Sequence, residues 1–357
     1  MKIKKLDLYI IKKFLGTYIF AIMLILAIIV MFDINEKIND FFKAPLSATI
    51  FDYYMNFLPY MANQFSPLFT FIAVIFFTSK LADNSEIIAI LSSGVSFKRL
   101  LLPYMFSALV IASFTFVLDA FVIPPANVER IAYQNKYIKD KSVDYGVNIQ
   151  MQVAPGEIAY MARFDNRSKS AYNFSLEKFD GKVLKSRLTA TSAVYDTLYR
   201  WTLRSYMIRD FNGMKENITN GIKLDTIIPI EPRDFLIAQN DHEKMTTPEL
   251  KEYIEHQRMR GVANVKSFEI EYHRRFAMTG AAFILTLIGM ALSSRKVKGG
   301  MGVNIGIGLV LSFTYILFST VTSTFAISGY TSPMVAMWIP NIVYLIIGIF
   351  LYRKADI

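Results

Sequence analysis

From Gly299 to Tyr352 the chain runs for 54 residues without Asp, Glu, Lys, Arg or His. So long an apolar stretch exceeds any ordinary core element, because about 20 residues of helix already cross a hydrocarbon layer of about 30 Å. Ser328-Gly329-Tyr330-Thr331-Ser332-Pro333 supplies a turn near its middle, so the stretch predicts two membrane spans back to back. Four other uncharged runs have spanning length: Phe14 to Phe32, Tyr53 to Ser79, Leu100 to Leu118 and Phe276 to Ser294. Each is bounded by charged residues, which places the charges at the ends of spans. Six spans are expected, three before and three after a central insert. The run after the basic Met1 to Lys13 segment is too long for a signal-peptide core, and it reads as a retained first span.

The insert, Ala126 to Arg275, carries 44 of the 68 charged residues and all three histidines. Pro124-Pro125 predicts the end of the third span, and Val128 to Lys141 reads as a polar helix leaving the membrane. Between Val147 and Ile230 the period changes. Short runs rich in Val, Ile, Thr, Tyr and Phe are punctuated by Ala154-Pro155-Gly156, Asp165-Asn166, Asp180-Gly181, Asn212-Gly213 and Asn220-Gly221. Strands at this spacing predict a β-sandwich or jelly roll. Trp201, Leu203, Ser205 and Met207 alternate with Thr202, Arg204, Tyr206 and Ile208, so neither face of that strand is wholly polar. The expected organisation is residues 1–125 for spans one to three, 126–275 for the β domain with flanking helices, and 276–357 for spans four to six.

Lys and Arg near span ends stay on the cytoplasmic side. With the N-terminus inside, the cytoplasmic segments hold 13 such residues, against only Lys37 and Lys43 in the short outer loops. Both termini are then cytoplasmic and the insert is outside, long domains being exempt from the rule. The net charge of +10 flanks the spans, so it does not point to nucleic acid. With no cysteine, thiolate catalysis, disulfides and zinc-thiolate sites are excluded. His242-Glu243 lacks a second histidine at zincin spacing and there is no Gly-x-Ser-x-Gly, so no catalytic or metal site is expected and no cofactor. No Gly-x-x-x-x-Gly-Lys-Ser/Thr occurs either, so the chain cannot hold a nucleotide in a P-loop.

Four groups of residues could carry function. In the loop Ser79 to Gly94, Leu81, Ile87, Ile88 and Leu91 fall near one helical face, Ser85 can cap and Gly94 can end the helix. This is either an interfacial helix in the headgroups or a coupling helix that offers Glu86 to a partner. Lys37 and Lys43 are solvated loop lysines or contacts for glycolipid phosphates, with Asp33, Glu36 and Asp40 close in sequence. Arg274 and Arg275 pose the same choice, a helix-end anchor or a ligand for anionic lipid. Gly302 and Gly306, with Gly308 nearby, form a small-x-x-x-small pair that lets span five approach another helix, within this chain or outside it. Asn304 and Asn341 fit ordinary interhelical hydrogen bonds.

The three-plus-three order, Asn84-Ser85-Glu86-Ile87 through Ser92-Ser93-Gly94-Val95-Ser96, the run Glu269-x-Glu271-x-His273-Arg274-Arg275-Phe276-Ala277 and Lys298-Gly299-Gly300-Met301-Gly302 resemble the LptF/LptG (YjgP/YjgQ) permease family. The likeness covers essentially the whole chain, strongest in the loop and the last three spans. It implies a membrane α-helical protein with six transmembrane helices and an inserted periplasmic β-jellyroll domain, acting as a half-transporter in lipopolysaccharide export. By this resemblance two such permeases pair, an LptB-like ATPase dimer docks on their cytoplasmic loops, and LptC/LptA-like bridge proteins receive the lipid. It also implies an ATPase-coupling role for Ser85, Glu86, Ile87, Leu91 and Gly94, lipid contacts for Lys37 and Lys43, and a lateral gate along spans one and five, where Gly302 and Gly306 lie. A lipoprotein-releasing permease and a non-transporting scaffold for a β domain are the competing readings.

Overall fold

The computed structural model describes residues 4–138, 145–213, 215–232, 241–259, 265–295 and 300–355. Helix α1 spans Lys5–Phe41. After short turns at Leu46–Ala48 and Thr49–Tyr54 come α2, Met55–Gln64, and α3, Ser66–Asp83. The small helix α4, Glu86–Ser92, leads to α5, Phe97–Val117, which opens into a wide turn at Leu118–Val122 and continues as α6, Ile123–Tyr133. Six strands follow: β1 Tyr145–Ala154, β2 Glu157–Asp165, β3 Ser170–Asp180, β4 Val183–Tyr195, β5 Arg200–Asn212 and β6 Lys215–Ile227. Four helices close the chain: α7 Thr247–Met259, α8 Lys266–Ser293, α9 Gly300–Ile327 and α10 Pro333–Ala355. Among the described residues, six helical stretches are long and apolar enough to cross a membrane. The chain divides into two compact units, one made of Met1–Lys139, Glu243–Pro248 and Lys266–Ile357, the other of Asp140–His242 and Glu249–Val265.

Two span boundaries differ from expectation, both at proline. The expected second span, Tyr53 to Ser79, is two helices that meet at Phe65 (φ −98°, ψ 8°). Pro67 lacks an N–H and its ring crowds the carbonyl four residues back, so the helix restarts with Pro67 in its first turn. The third span does not end at Pro124-Pro125. Its backbone widens at Leu118–Val122 and the prolines occupy the first turn of α6, where no intrahelical donor is needed. Helical structure therefore runs on to Ile138.

In the helical unit α8 is central, packed against α3, α5 and α10. Its buried face is rich in small residues, including Ala277, Ala281, Ala282, Gly289 and Ala291, as expected where van der Waals fit rather than water exclusion drives helix association. Asn341 accepts from the Tyr315 hydroxyl at 2.8 Å and donates to the Ala277 carbonyl at 2.7 Å. Asn304 donates to Ser79 Oγ at 3.2 Å. These are the interhelical bonds anticipated for both asparagines.

The sheet is antiparallel throughout, in the order β1-β2-β3-β4-β5-β6. The inserted β domain is therefore an up-and-down meander in its described strands, without the crossover order that a jelly roll or sandwich predicts. A crease does the work that a second sheet would do. Pairing lapses along one row that crosses every strand: Asn148, Ala162, Asn173, Thr191, Ser205 and Ile222. On alternate strands the row residue has a left-handed backbone, with φ of 52° at Asn148, 51° at Asn173 and 49° at Ser205. The inward phase slips there by one residue. Buried positions run Ala159, Met161, then Phe164 on β2; Ala171, then Phe174 and Leu176 on β3; Ala190, then Ala193 on β4; and Trp201 and Leu203, then the partly buried Tyr206, on β5. A step of three replaces the period of two. Residues from both sides of the crease gather into one cluster, in which Phe174 stacks on Trp201 at 6.2 Å between centroids. Asn220-Gly221, expected as a turn, sits inside β6 beside this row, where Gly221 leaves space for the Tyr206 ring.

Candidate functional site

The loop between the second and third spans is built by a sharp reversal. Ser85 adopts φ 61° and makes no side-chain capping bond, so it starts α4 through its backbone rather than its hydroxyl. Gly94, with φ 87°, follows the helix as expected. The reversal also separates the apolar residues that the sequence puts on one face. Leu81 and Ile87 are buried in one cluster with Ile10, Phe14 and Phe97, whereas Ile88 and Leu91 are exposed. Ile87 thus ties α4 to α1, α3 and α5, and the opposite side of the helix presents an apolar pair. Glu86 accepts from Tyr9 Oη at 3.0 Å and from Asn84 Nδ2 at 3.3 Å. The bond to Tyr9 joins the loop to span one, a partner 77 positions away that no local motif could announce.

The two lysines near the end of α1 have different surroundings. Lys37 pairs with Asp33, donates to Tyr53 Oη at 2.7 Å and lies over the rings of Tyr53 and Phe57. Asp33 also accepts from the hydroxyls of Tyr53 and Tyr54, at 3.0 and 3.1 Å. Lys37 is therefore a partly buried clamp. Lys43 is exposed and bonds to Asp40 at 2.6 Å.

Arg274 and Arg275 also diverge. Arg275 is buried, with Nε donating to Glu271 at 3.0 Å, Nη1 to Thr247 Oγ1 at 2.9 Å and Nη2 to the Met245 carbonyl at 2.9 Å. It fastens segment 245–247 to the start of span four, which is the helix-end anchor reading rather than an exposed lipid ligand. Arg130 does the same one step earlier, reaching Glu243 at 3.2 Å with Tyr60 under its guanidinium. Arg274 forks onto both Glu271 oxygens at 2.8 and 2.9 Å and lies 3.8 Å from Asp119. It also lines a cavity of about 100 Å³ with Gln64, Tyr315, Ser319 and Thr320. Two acids and two arginines balance in a cluster of which the sequence motif displayed three, because Asp119 comes from the wide turn in span three.

Gly302 and Gly306 have open space where a side chain would stand, and both are exposed. The close approach inside the chain is made by Gly308, where an added Cβ would come within 2.2 Å of Ile75 Cδ1. Exposure is uneven among the spans: buried residues make up 11 % of the apolar window of span one and 22 % of span five, against 78 % for Ser66–Asp83.

A family model described as the lipopolysaccharide export system permease LptF/LptG matches residues 8–354 of the 357. The chain belongs to the LptF/LptG family. No curated protein matches it in direct sequence comparison. As an LptF/LptG permease it is a lipopolysaccharide export subunit, a multi-pass protein of the inner membrane that works in a complex with other Lpt proteins. Six spans with a β domain inserted between them are the architecture this assignment requires.

Proposed function

We propose that the chain converts work done by a cytoplasmic, LptB-like ATPase dimer into the extraction of lipopolysaccharide, with α4 as the lever. The observation that carries this reading is the split of α4: Ile87 is locked in the core shared by spans one, two and three, while Ile88 and Leu91 are exposed beside Glu86. A partner that grips the exposed side displaces three spans at once, and Tyr9 passes the load to span one. Ser85 and Gly94 set the ends of the lever through their backbones. The distribution of Lys and Arg supports cytoplasmic termini and a periplasmic insert, with α4 on the ATPase side.

A second LptF/LptG-type permease pairs with this one along spans one and five, whose outward faces include Gly302 and Gly306. Lipid phosphates meet the exposed Lys43 and the cavity edge of Arg274, while Lys37 and Arg275 hold the frame around them. Extracted lipid then passes to the β domain and on to LptC/LptA-like bridge proteins. In this reading the chain divides at 1–125, 126–275 and 276–357 into two membrane parts with the β domain between them. Copurification tests the lever: an affinity-tagged permease should bring down the ATPase, and Leu91→Glu or Glu86→Lys should lose it while the partner permease still copurifies. Retention of the ATPase by both variants would remove α4 from the contact.

A further inference from the structure

The turn between β4 and β5 carries the wrong residues for its shape. Arg200 N–H donates to the Thr197 carbonyl at 3.0 Å across two central residues with positive φ, Leu198 at 48° and Tyr199 at 65°. Two positive φ values in a two-residue hairpin loop mark a type I′ turn, which favours Asn-Gly because a side chain crowds the backbone there. Of the other turns, the one between β2 and β3 has a single left-handed residue, Lys169 with φ 47°, and the remaining three follow that rule. At the other end of the sheet Gly156, Gly181 and Gly213 take the left-handed positions. At 198–199 the strained sites instead hold bulky side chains, and Leu198, 79 % exposed, gains little from the fold. Strain kept where packing does not reward it points to a contact outside the domain.

The location of the tip selects the contact. Antiparallel register puts Tyr145, Asp165, Ser170, Tyr195, Arg200 and Ile227 at one end of the sheet. Tyr145 is where the sheet takes the chain over from span three, seven residues after Ile138, and Ile227 is where the chain leaves the sheet on its way to span four. Ile227 is exposed beside the tip. Arg167, Lys169, Arg200 and Lys223 are at the same end. Of the acids there, Asp165 is held below the usual carboxylate range by the Arg167 N–H and the Ser168 hydroxyl of its own turn. Asp225 is lowered by Thr202 and Lys223, and Asp196 lies in the turn itself. An aliphatic tip with a tyrosine and flanking Arg and Lys is the composition that settles at a membrane–water interface.

We propose that Leu198-Tyr199 is a membrane-dipping tip, a hairpin that inserts into the interfacial layer of the bilayer from the side on which the β domain stands. The proposal depends on the chain spanning a membrane and not on the lever mechanism. The absence of cysteine makes the test direct. Full-length permease carrying Leu198→Cys, labelled with a polarity-sensitive fluorophore, is placed in nanodiscs of phosphatidylethanolamine and phosphatidylglycerol with spin-labelled lipid. The expected result is blue-shifted emission quenched by shallow spin labels, with Lys182→Cys at the opposite end neither shifted nor quenched. Water-like emission at 198 would overturn the proposal, as would a blue shift without lipid quenching, which means that protein covers the tip. As a second variant, Leu198→Asn with Tyr199→Gly relieves the turn. It should melt no lower than the parent yet show slower lipopolysaccharide release, and release at the parental rate would also count against the tip.

Discussion

Arg275 donates to three protein acceptors, so Arg275→Leu takes a donor from the Thr247 hydroxyl and the Met245 carbonyl and one arginine from Glu271. Breaking one side of a buried charged network costs about 3–5 kcal/mol, so the variant should melt well below the parent in thermal unfolding, whereas Lys43→Ala should melt with the parent. Tyr9→Phe removes only the hydroxyl that Glu86 accepts. A hydrogen bond to a charged group contributes about 1.5–3 kcal/mol, and the variant should weaken lipopolysaccharide release per ATP hydrolysed without losing the bound ATPase. At this scale the sequence displayed types but not partners. Glu86 was legible from its loop motif, while Tyr9 was not, because contact across 77 positions leaves no local pattern. Lys37 and Lys43 look alike in sequence, and only the approach of Tyr53 and Phe57 to Lys37 separates a clamp from an exposed cation.

The spans were legible as elements because the absence of charge over about 20 residues is a physical requirement of the bilayer rather than a tendency. Their ends were less so. Pro124-Pro125 reads as a stop by propensity, yet the preceding wide turn makes it a restart. In the β domain the glycine-marked turns at 156, 181 and 213 were legible, but the hairpin at Leu198-Tyr199 has neither Gly nor Asn at its left-handed positions and so gave no such signal. The two-faced appearance of β5 came from the phase slip at Ser205: read with the slip, Trp201, Leu203 and Tyr206 share the inner face and Arg204 stays exposed. The crease also predicts a specific dependence. A Cβ at Gly221 would lie 2.8 Å from the Tyr206 ring, and overpacking of this kind costs about 1–3 kcal/mol. Gly221→Val should therefore lower the melting temperature, and Tyr206→Ala in the same chain should recover part of the loss, which a double-mutant cycle measures.

For the whole molecule, the outward apolar faces of spans one and five set the expectation of an assembly, because the other long spans bury larger shares of their windows. Single cysteines at Met23 on span one and Val310 on span five, both exposed, should crosslink to the partner permease in membranes, and crosslinking to lipid alone would mean that these faces look only at the bilayer. The central claim is that lipopolysaccharide export in this permease is driven through α4. Proteoliposomes holding the two permeases, their ATPase and lipopolysaccharide test it most directly, by following ATP-dependent transfer of the lipid to a soluble bridge protein. Transfer should fall about tenfold with Glu86→Ala, equivalent to about 1.4 kcal/mol of lost coupling, while the amount of lipopolysaccharide bound before ATP is added stays the same. Parental transfer by Glu86→Ala and Leu91→Glu alike would contradict the account.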